Sequence, residues 1–471
     1  MTRPVRAAVL AAGFGFGIAV MAELLGVGEV ILEQAHDPAL SGSGDLLVYS
    51  SIGSVSSARF VMSSVLSAPD VADRIAAVSP SRQARLFLMA PTGSIALSAK
   101  GGIPSREKSV GDPEVSSVRS WTDAPGDERW SRPDSGDVLR AMDRFHSIPD
   151  VNGRVSSWAE WLYFNGRTRD GRVRVYLTFL VGPYADVAGK RLASVRLQLE
   201  RDGTSRNYSA QGEVDEATLL SNAPDLEIAG NRVRLDGMSY QMSLALKSED
   251  VVQNSWPPER SAERPDHGGK SRLTGEVALD VRPGRSLPPA TVHGAGGWVF
   301  GYVVPALTGV MRATLHIGGE SLTFDDAVGY HDHNWGFWEG VSWQWGQVAH
   351  DDVSIVYGRV FPPADIADPT QVPGFLAVLG PDGPLAFSSD VAIDDSKSDV
   401  VDVRSTGTGV DLRLTLTADE AVRTLLGITS SPGREPLNFV QLGGVFQVAG
   451  TVAGRSFDFS ARGSAETFKP K

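Results

Sequence analysis

Apolar and polar residues alternate with a period of two through most of the chain after residue 156. In RVRVYLTFLV (172–181) every second residue is Val, Leu or Phe, and SVRLQLE (194–200) and YQMSLAL (240–246) repeat the pattern. Because successive side chains of a strand point to opposite faces, each segment predicts a strand with one buried face. Further alternating segments lie at 277–281, 311–317, 353–360, 410–416 and 457–461. Turn sequences such as RDG, IGGE and PDG separate them, which predicts an all-β fold of antiparallel sheets curled into barrels or sandwiches.

The strands fall into two sets, divided by the Pro-rich segment RPGRSLPPATVHGAGG (282–297). We therefore predict two consecutive antiparallel β-barrels, over residues 156–290 and 291–471. Each set has the size that closes a barrel of about eight strands, wide enough for one small ligand. The clearest segment with a helical period is ADEAVRTLLG (418–427), for which we predict a helix.

The first 34 residues predict a membrane anchor or a signal segment, because Arg3 and Arg6 precede an apolar run over 7–21. That run is shorter than the roughly 20 residues that span a bilayer, so a membrane helix must accept Glu23 near one end. A cleaved signal peptide and a buried soluble helix are the alternatives. Either targeting interpretation places the barrels on the periplasmic side of a membrane, anchored or exported.

The part AGFGFGIAVMAELLGVGE (12–29) is similar to the first membrane helix of MacB/FtsX-type transporter permeases. This resemblance implies a transporter as a partner. Residues 35–155 predict an irregular N-terminal region or linker, with strands at LLVYSS (46–51) and ARLFLMA (84–90) and a helical turn or two at VADRIAAV (71–78).

The charge balance narrows the classes of partner. A formal net charge of −12, without a basic stripe, argues against nucleic acid, since nothing neutralises phosphates. The chain has no cysteine, which excludes disulfides and thiolate metal sites. It also contains no P-loop, dinucleotide fingerprint or GxSxG elbow, and we predict no cofactor.

Candidate chemistry is concentrated in GYHDHNWG (329–336), whose flanks have the pattern of strands. Alternation puts His331, His333 and Trp335 on one face and Tyr330, Asp332 and Asn334 on the other. The segment that follows adds Trp338, Trp343, Trp345 and Gln347. Imidazole, indole and amide groups on neighbouring strands predict a cavity for a hydrophobic small molecule with one polar end.

Two motifs occur together in this chain, WAEWLYFNG (158–166) and GYHDHNWG (329–336), the latter followed by WQWG (343–346). In this order and separation they resemble the motifs of the AttH/CrtC family. The family consists of lipocalin-like double β-barrels and includes carotenoid 1,2-hydratases and kievitone hydratase, with tocopherol cyclases and some pericyclases as related folds. The resemblance covers about residues 156–471. It implies two lipocalin-like barrels that bind a hydrophobic, often isoprenoid, molecule in or between them.

The resemblance also implies a reaction. The hydratases of the family protonate a carbon–carbon double bond and let water capture the cation, without a metal or an organic cofactor. The His and Trp of the family's HNW-type triplet correspond to His333 and Trp335, and a following Tyr corresponds to Tyr357. The acid that the family carries two residues later is absent, because Arg359 stands there.

Protonation of an alkene requires an acid kept neutral in a dry pocket, with aromatic faces beside the cation. Asp332 and Glu160 are the carboxyl groups that the two motifs offer. The residues that we assign to catalysis are His333, Trp335, Tyr357 and Asp332. Those that we assign to ligand binding are Glu160, Tyr163, His331, Asn334, Trp338, Trp343, Trp345 and Gln347.

Three alternatives remain open at this point. The protein is either a hydro-lyase or isomerase acting on an isoprenoid, carotenoid-like or other lipidic double bond, or a non-catalytic lipocalin-like lipid carrier. His331, Asp332 and Asn334 also have a purely structural interpretation, as buried polar groups that hydrogen-bond to one another and stabilise the junction between the barrels. His331 and His333 with His350 are also a conceivable nitrogen site for a metal, although we predict none.

Overall fold

The structure, a computed structural model, describes most of the chain after residue 56. The described ranges are 46–48, 57–67, 72–90, 93–112, 115, 120–131, 133–248, 272–282, 284–381, 383–397, 399–426 and 437–469. The predicted anchor or signal segment, residues 1–34, lies outside them. Among the described residues, no helix combines the length and the apolar character that a membrane crossing requires.

The chain divides into two compact units, of which the first comprises residues 1–58 and 70–133. Its elements are a 3₁₀ turn (Ala72–Arg74), β1 (Ser81–Ala90), β2 (Gly93–Gly102) and two short helices (Pro104–Ser109 and Glu128–Ser131). Strands β1 and β2 form an antiparallel hairpin, so the strand predicted at 84–90 is confirmed. Of the strand predicted at 46–51, only 46–48 are described, and they are not in a strand.

The second unit begins with a helix (Ala58–Ser67, counted from Arg59) and continues from Asp134 to the C-terminus. Its next helix, α1 (Ser135–Met142), is capped by Asp134, whose side chain accepts hydrogen bonds from the amides of Gly136 and Asp137. Leu139 and Phe145 belong to the hydrophobic core of the first barrel. The segment around α1 is therefore part of that barrel's interior.

The first barrel is a closed ring of eight antiparallel strands. The ring contains β3 (Trp158–Arg167), β4 (Val173–Tyr184), β5 (Lys190–Arg201), β6 (Thr204–Asp215), β9 (Ser239–Ser248), β10 (Arg272–Val281), β12 (Val299–Ile317) and β13 (Glu320–Phe337). Their order is β10-β12-β13-β3-β4-β5-β6-β9, and β9 closes the ring on β10. Outside the ring lie α2 (Glu216–Asn222), β7 (Leu226–Ile228), β8 (Asn231–Asp236) and β11 (Leu287–His293).

The boundary between the barrels differs from the predicted one at residues 290/291, because β12 and β13 complete the first ring. The Pro-rich segment that looked like a linker contains β11, which pairs with β12. Its register shifts between Leu287 and Ala290, where Pro288 and Pro289 stand. Proline lacks an amide proton and fits a strand at such an irregularity, so the prolines mark a bulge rather than a break between domains.

The second barrel has nine strands and is nearly closed. They are β14 (Ser342–His350), β15 (Val353–Phe361), β16 (Phe375–Gly380), β17 (Gly383–Ser388), β18 (Asp390–Asp394), β19 (Val400–Gly407), β20 (Val410–Leu426), β21 (Leu437–Val452) and β22 (Arg455–Lys469). The helix predicted at 418–427 is wrong, since residues up to 426 belong to β20 and pair with β21. Pairing with a long neighbouring strand overrides the local helical period.

The all-β, double-barrel prediction is confirmed, and strand alternation explains the core. In β4 the predicted inner residues Val175, Leu177, Phe179 and Val181 are fully buried. The outer faces of β3 and β13 contact the second barrel. Trp345 of β14 donates a hydrogen bond to Tyr330, and Gln441 of β21 donates one to Tyr163. The two barrels thus share an interface made of side chains from the two sequence motifs.

Candidate functional site

Strand β13 divides the predicted site between two environments. His331, His333 and Trp335 point into the first barrel, and the two histidines have no exposed surface. Tyr330, Asp332 and Asn334 point towards the second barrel, as the contacts of Tyr330 with Trp345 show. The alternation predicted for GYHDHNWG is therefore correct, and its two faces carry different chemistry.

Inside the first barrel, Asp143 receives three hydrogen bonds although it is completely buried. His333 Nδ1 donates to Asp143 Oδ1 at 2.8 Å, and His331 Nε2 donates to Asp143 Oδ2 at 2.9 Å. The hydroxyl of Tyr240 donates to the same Oδ2 at 3.0 Å. Asp143 follows α1 directly as its C-terminal cap, so the helix carries this carboxylate into the barrel.

Glu160 of β3 contacts the second ring nitrogen of His333. His333 Nε2 lies 2.9 Å from Glu160 Oε1, and His146 Nδ1 lies 2.7 Å from the same oxygen. The backbone amide of His146 also donates to both carboxylate oxygens, at 3.1 and 3.0 Å. Burial lowers the pKa of His333, but its bonds to Asp143 and Glu160 outweigh this and raise the pKa to about 9. His333 is an imidazolium between two carboxylates.

The same network contains the donor set that could hold a metal ion. His146, Glu160 and His333 offer ligand atoms that all lie within 4.8 Å of one another. These atoms hydrogen-bond to each other, so the set is satisfied as it stands. The alternative site with His350 does not form, because His350 stacks on Phe459 of the second barrel at 4.4 Å. Both nitrogens of His333 already face carboxylates.

On the opposite face of β13, Asp332 is held by neutral donors at the interface between the barrels. The Tyr330 hydroxyl donates to Asp332 Oδ2 at 2.7 Å, and the Asn334 amide donates to Oδ1 at 2.6 Å. Trp345 Nε1 in turn donates to the Tyr330 hydroxyl at 2.9 Å. Asp332 is only 4% exposed, so this carboxyl group is bound by uncharged donors in a largely dry setting.

A second carboxyl group, Glu466 of β22, interacts with Asp332 across the interface. Glu466 is hydrogen bonded to Tyr163 and Gln441. Burial raises the pKa of Asp332 well above its usual value, and the charge of Glu466 adds to this. Burial likewise raises the pKa of Glu466 to about 7. Burial and the nearby Glu466 outweigh the opposing effect of the hydrogen bonds from Tyr330 and Asn334, and so favour the protonated form of Asp332, which is the form that can donate a proton.

Aromatic rings lie beside this carboxyl pair. Trp345, Tyr302 and Phe375 form a triangle in which each ring centre lies 5.3–5.4 Å from the other two. Next along the interface, Trp338 lies 4.2 Å from Trp161 and 5.1 Å from Trp343. Trp161, Trp343 and Tyr302 are only partly buried, and they form an aromatic rim at the interface. Such faces can stabilise a cation.

A cavity of about 50 Å³ lies between the barrels. Tyr330, Gln347, Asn165 and Ser464 are among the residues that line it. It lies on the Tyr330 side of β13, away from the face that carries His333. Its size suits a small polar group rather than a whole isoprenoid chain, since drug-sized ligands occupy pockets of about 300 Å³ or more.

The four residues assigned to catalysis do not share one site. His333 and Trp335 lie inside the first barrel, Asp332 lies between the barrels, and Tyr357 lies inside the second. Tyr357 is 1% exposed and packs against Phe446, and burial raises its pKa. Strand alternation explains this correction. Val356 belongs to the cluster at the interface between the barrels, so its neighbour Tyr357 points the opposite way, into the core of the second barrel.

Sequence reasoning gave no role in a site to five residues of these networks, namely Asp143, His146, Tyr240, Gln441 and Glu466. Asp143 and His146 come from the region predicted to be an irregular segment or linker, and the other three lie within the predicted barrels. The residues assigned to ligand binding also separate. Tyr163, Asn334, Trp343, Trp345 and Gln347 reach the interface, as does Trp338 through Trp343, whereas Glu160 and His331 serve the buried network.

A Glu466→Gln variant is expected to flatten the pH dependence of stability. The folded-state pKa of Glu466 is about 7 against an ordinary 4.5. Its stabilising contribution is therefore complete below about pH 4.5 and is lost as the pH rises towards about 7, because the folded protein retains a proton that the unfolded chain has released. We expect a loss on the order of 1–2 kcal/mol, reduced by the partial exposure of the group.

The measurement is the free energy of unfolding in urea for both proteins near about pH 5 and about pH 8. The wild type should lose more stability than the variant between the two conditions. Glu320→Gln, at an exposed carboxylate paired with Arg201, is the matched control and should leave the difference unchanged. Parallel changes in wild type and Glu466→Gln would contradict the assignment.

Comparisons with known proteins give likenesses at the level of fold. No protein-family model matches the chain, and no curated protein matches it. A solved structure of a protein provisionally assigned as AttH, from Nitrosomonas europaea, is similar with a TM-score of 0.40 and 16% identity, over 66% of this chain and 92% of that one.

CghA is similar with a TM-score of 0.41 and 12% identity, over 69% of this chain and 94% of its own. The structure of CghA with Sch210972 gives a TM-score of 0.36 and 13% identity, over 70% and 94%. Identities and TM-scores this low carry no residue role and no activity across. The double-barrel assignment rests on the strand topology itself.

Proposed function

We propose that the protein is an acid catalyst that protonates a carbon–carbon double bond of an isoprenoid, carotenoid-like or other lipidic substrate between its barrels. Hydration or isomerisation follows. The observation that carries the proposal is the placement of Asp332, a carboxyl group buried among neutral hydrogen-bond donors and beside a cluster of aromatic rings. This is what alkene protonation requires, and it supplies the acid whose absence at Arg359 weakened the hydratase interpretation.

The proposed reaction balances without any further reagent. Asp332 transfers its proton to one alkene carbon and becomes a carboxylate, to which Tyr330 and Asn334 already donate hydrogen bonds. The carbocation on the neighbouring carbon lies against indole faces such as that of Trp345. Water then adds and returns a proton to Asp332, which gives an alcohol. Loss of an adjacent C–H proton to Asp332 gives an isomer instead.

The test is incubation of the protein with lycopene and with geranylgeraniol in heavy water, followed by mass spectrometry. A hydrated product should contain one non-exchangeable deuterium on carbon, because the acid proton comes from solvent. An isomer should contain one as well. Rates should fall as the pH rises through about 7, since ionised Glu466 makes Asp332 a weaker acid. Probes that bind but return unlabelled and unchanged would overturn the proposal and favour the lipid carrier.

A further inference from the structure

Three arginines converge on the cavity between the barrels. Arg167 comes from β3, Arg174 from β4 and Arg462 from β22, and all three line the cavity. Arg167 and Arg174 are direct cross-strand partners. Like charges in that position destabilise a sheet. The pair is therefore unfavourable by itself, and negative charge nearby stabilises it.

Each of these arginines contacts polar groups of the protein. Arg462 forms an ion pair with Asp419 at 2.8 Å, and Arg167 donates a hydrogen bond to the carbonyl of Arg462. Arg174 is 5% exposed and forms an ion pair with Glu200 at 3.8 Å. Burial, together with the charges of Arg174 and Arg462, lowers the pKa of Arg167 to about 10. The three cations repel one another within a partly buried space.

Neutral polar groups complete the cavity wall. Gln347 Nε2 donates to Asn165 Oδ1 and to Ser464 Oγ, both at 3.3 Å. These bonds are long for N–H···O contacts, whose usual length is about 2.9–3.0 Å, so the groups can turn to a ligand at little cost. The volume of about 50 Å³ suits a carboxylate better than a diphosphate.

We propose that this cavity is the subsite for a carboxylate at the polar end of the substrate, gripped by Arg167, Arg174 and Arg462. Guanidinium groups bind carboxylates in a planar, two-point geometry. The inference rests on the proposed function through Tyr330, which lines the cavity and donates a hydrogen bond to Asp332. The substrate class is thus an unsaturated apolar acid, with its carboxylate among the arginines and its chain running past Tyr330 to the aromatic rim.

The test compares geranylgeranoic acid with geranylgeraniol, which differ only at the polar end. Titration calorimetry below the micellar concentration should show that the wild type binds the acid at least about tenfold more tightly, the difference expected of one charge-assisted hydrogen-bonded pair. Gln347→Glu places a carboxylate inside the cavity and should abolish this preference, because the new charge pairs with the arginines and repels the acid. Arg462→Gln, at a partly exposed position, should reduce it.

Arg169→Gln is the matched control, because Arg169 is exposed, pairs with Asp326 and does not line the cavity. It should preserve the preference for the acid. Equal binding of acid and alcohol by the wild type, or an undiminished preference in a folded Gln347→Glu protein, would overturn the subsite. Failure of the proposed function looks different: the acid is still preferred and the preference is still lost in Gln347→Glu, but no deuterium enters the probe.

Discussion

An Asp332→Asn variant is expected to transfer deuterium to the alkene at least about a hundredfold more slowly than the wild type, since general acids typically contribute factors of 10² to 10⁴. Asn has the same shape and retains an oxygen that accepts a hydrogen bond from Asn334 or Tyr330. It has no acidic proton. The loss should therefore appear in turnover while the affinity for the unreacted probe stays close to that of the wild type.

Two controls separate this effect from a general disturbance of the interface. Glu466→Gln removes the neighbouring charge but leaves the Asp332 acid in place, so it should remain active and lose the decline above about pH 7. Asp326→Asn, at an exposed carboxylate of the same strand, should have no effect on turnover. An Asp332→Asn protein with full activity would exclude Asp332 as the proton donor.

Strand alternation predicted a large part of this site. The separation of His331 and His333 from Asp332 follows from the two-residue period alone, and the structure has it. Which of the two faces offers a proton donor does not follow from the period, because it depends on what packs against each face. Asp143 lies 190 positions from His333 in the sequence. The carboxylates of Asp143 and Glu160 bind both ring nitrogens of His333 and favour its charged form, so the histidine that the sequence suggested as reactive is buried and fully hydrogen bonded.

The same limit explains the errors in the fold. The helical period of 418–427 is a local signal, whereas the strand that forms over 418–426 depends on pairing with residues 437–444 of β21. The prolines near residue 288 are also a local signal. They indicate a linker when the sequence is considered alone, but the structure shows that β12 pairs with the strand that contains them. Long-range pairing decided both cases, and one sequence carries no direct record of it.

The position of His333 also changes what its removal should do. If His333 were a reacting group exposed to the ligand, its removal would abolish turnover and leave the protein stable. The structure shows that its loss leaves Asp143 and Glu160 as buried carboxylates without their shared cation. Breaking a buried ion pair from one side costs about 3–5 kcal/mol. We infer that His333 stabilises the first barrel, whereas the proposed chemistry belongs to the interface.

Replacing Asp143 with Ala should show this most directly, with a loss of about 3–5 kcal/mol in the free energy of unfolding. Three donors lose their acceptor at once, from His331, His333 and Tyr240, and none of them reaches water. Urea unfolding followed by tryptophan fluorescence measures the loss.

The matched control lies at the other end of α1. Asp134 accepts hydrogen bonds from two backbone amides as the N-terminal cap, and Asp134→Ala should cost only about 1 kcal/mol, as exposed caps do. The contrast between the two variants is the decisive quantity, because each removes one aspartate from the same helix. Equal losses would mean that Asp143 serves only to end the helix, and that the histidines do not depend on its charge. A loss several times larger at Asp143 would show that the buried network of Asp143, His331, His333 and Tyr240 stabilises the first barrel.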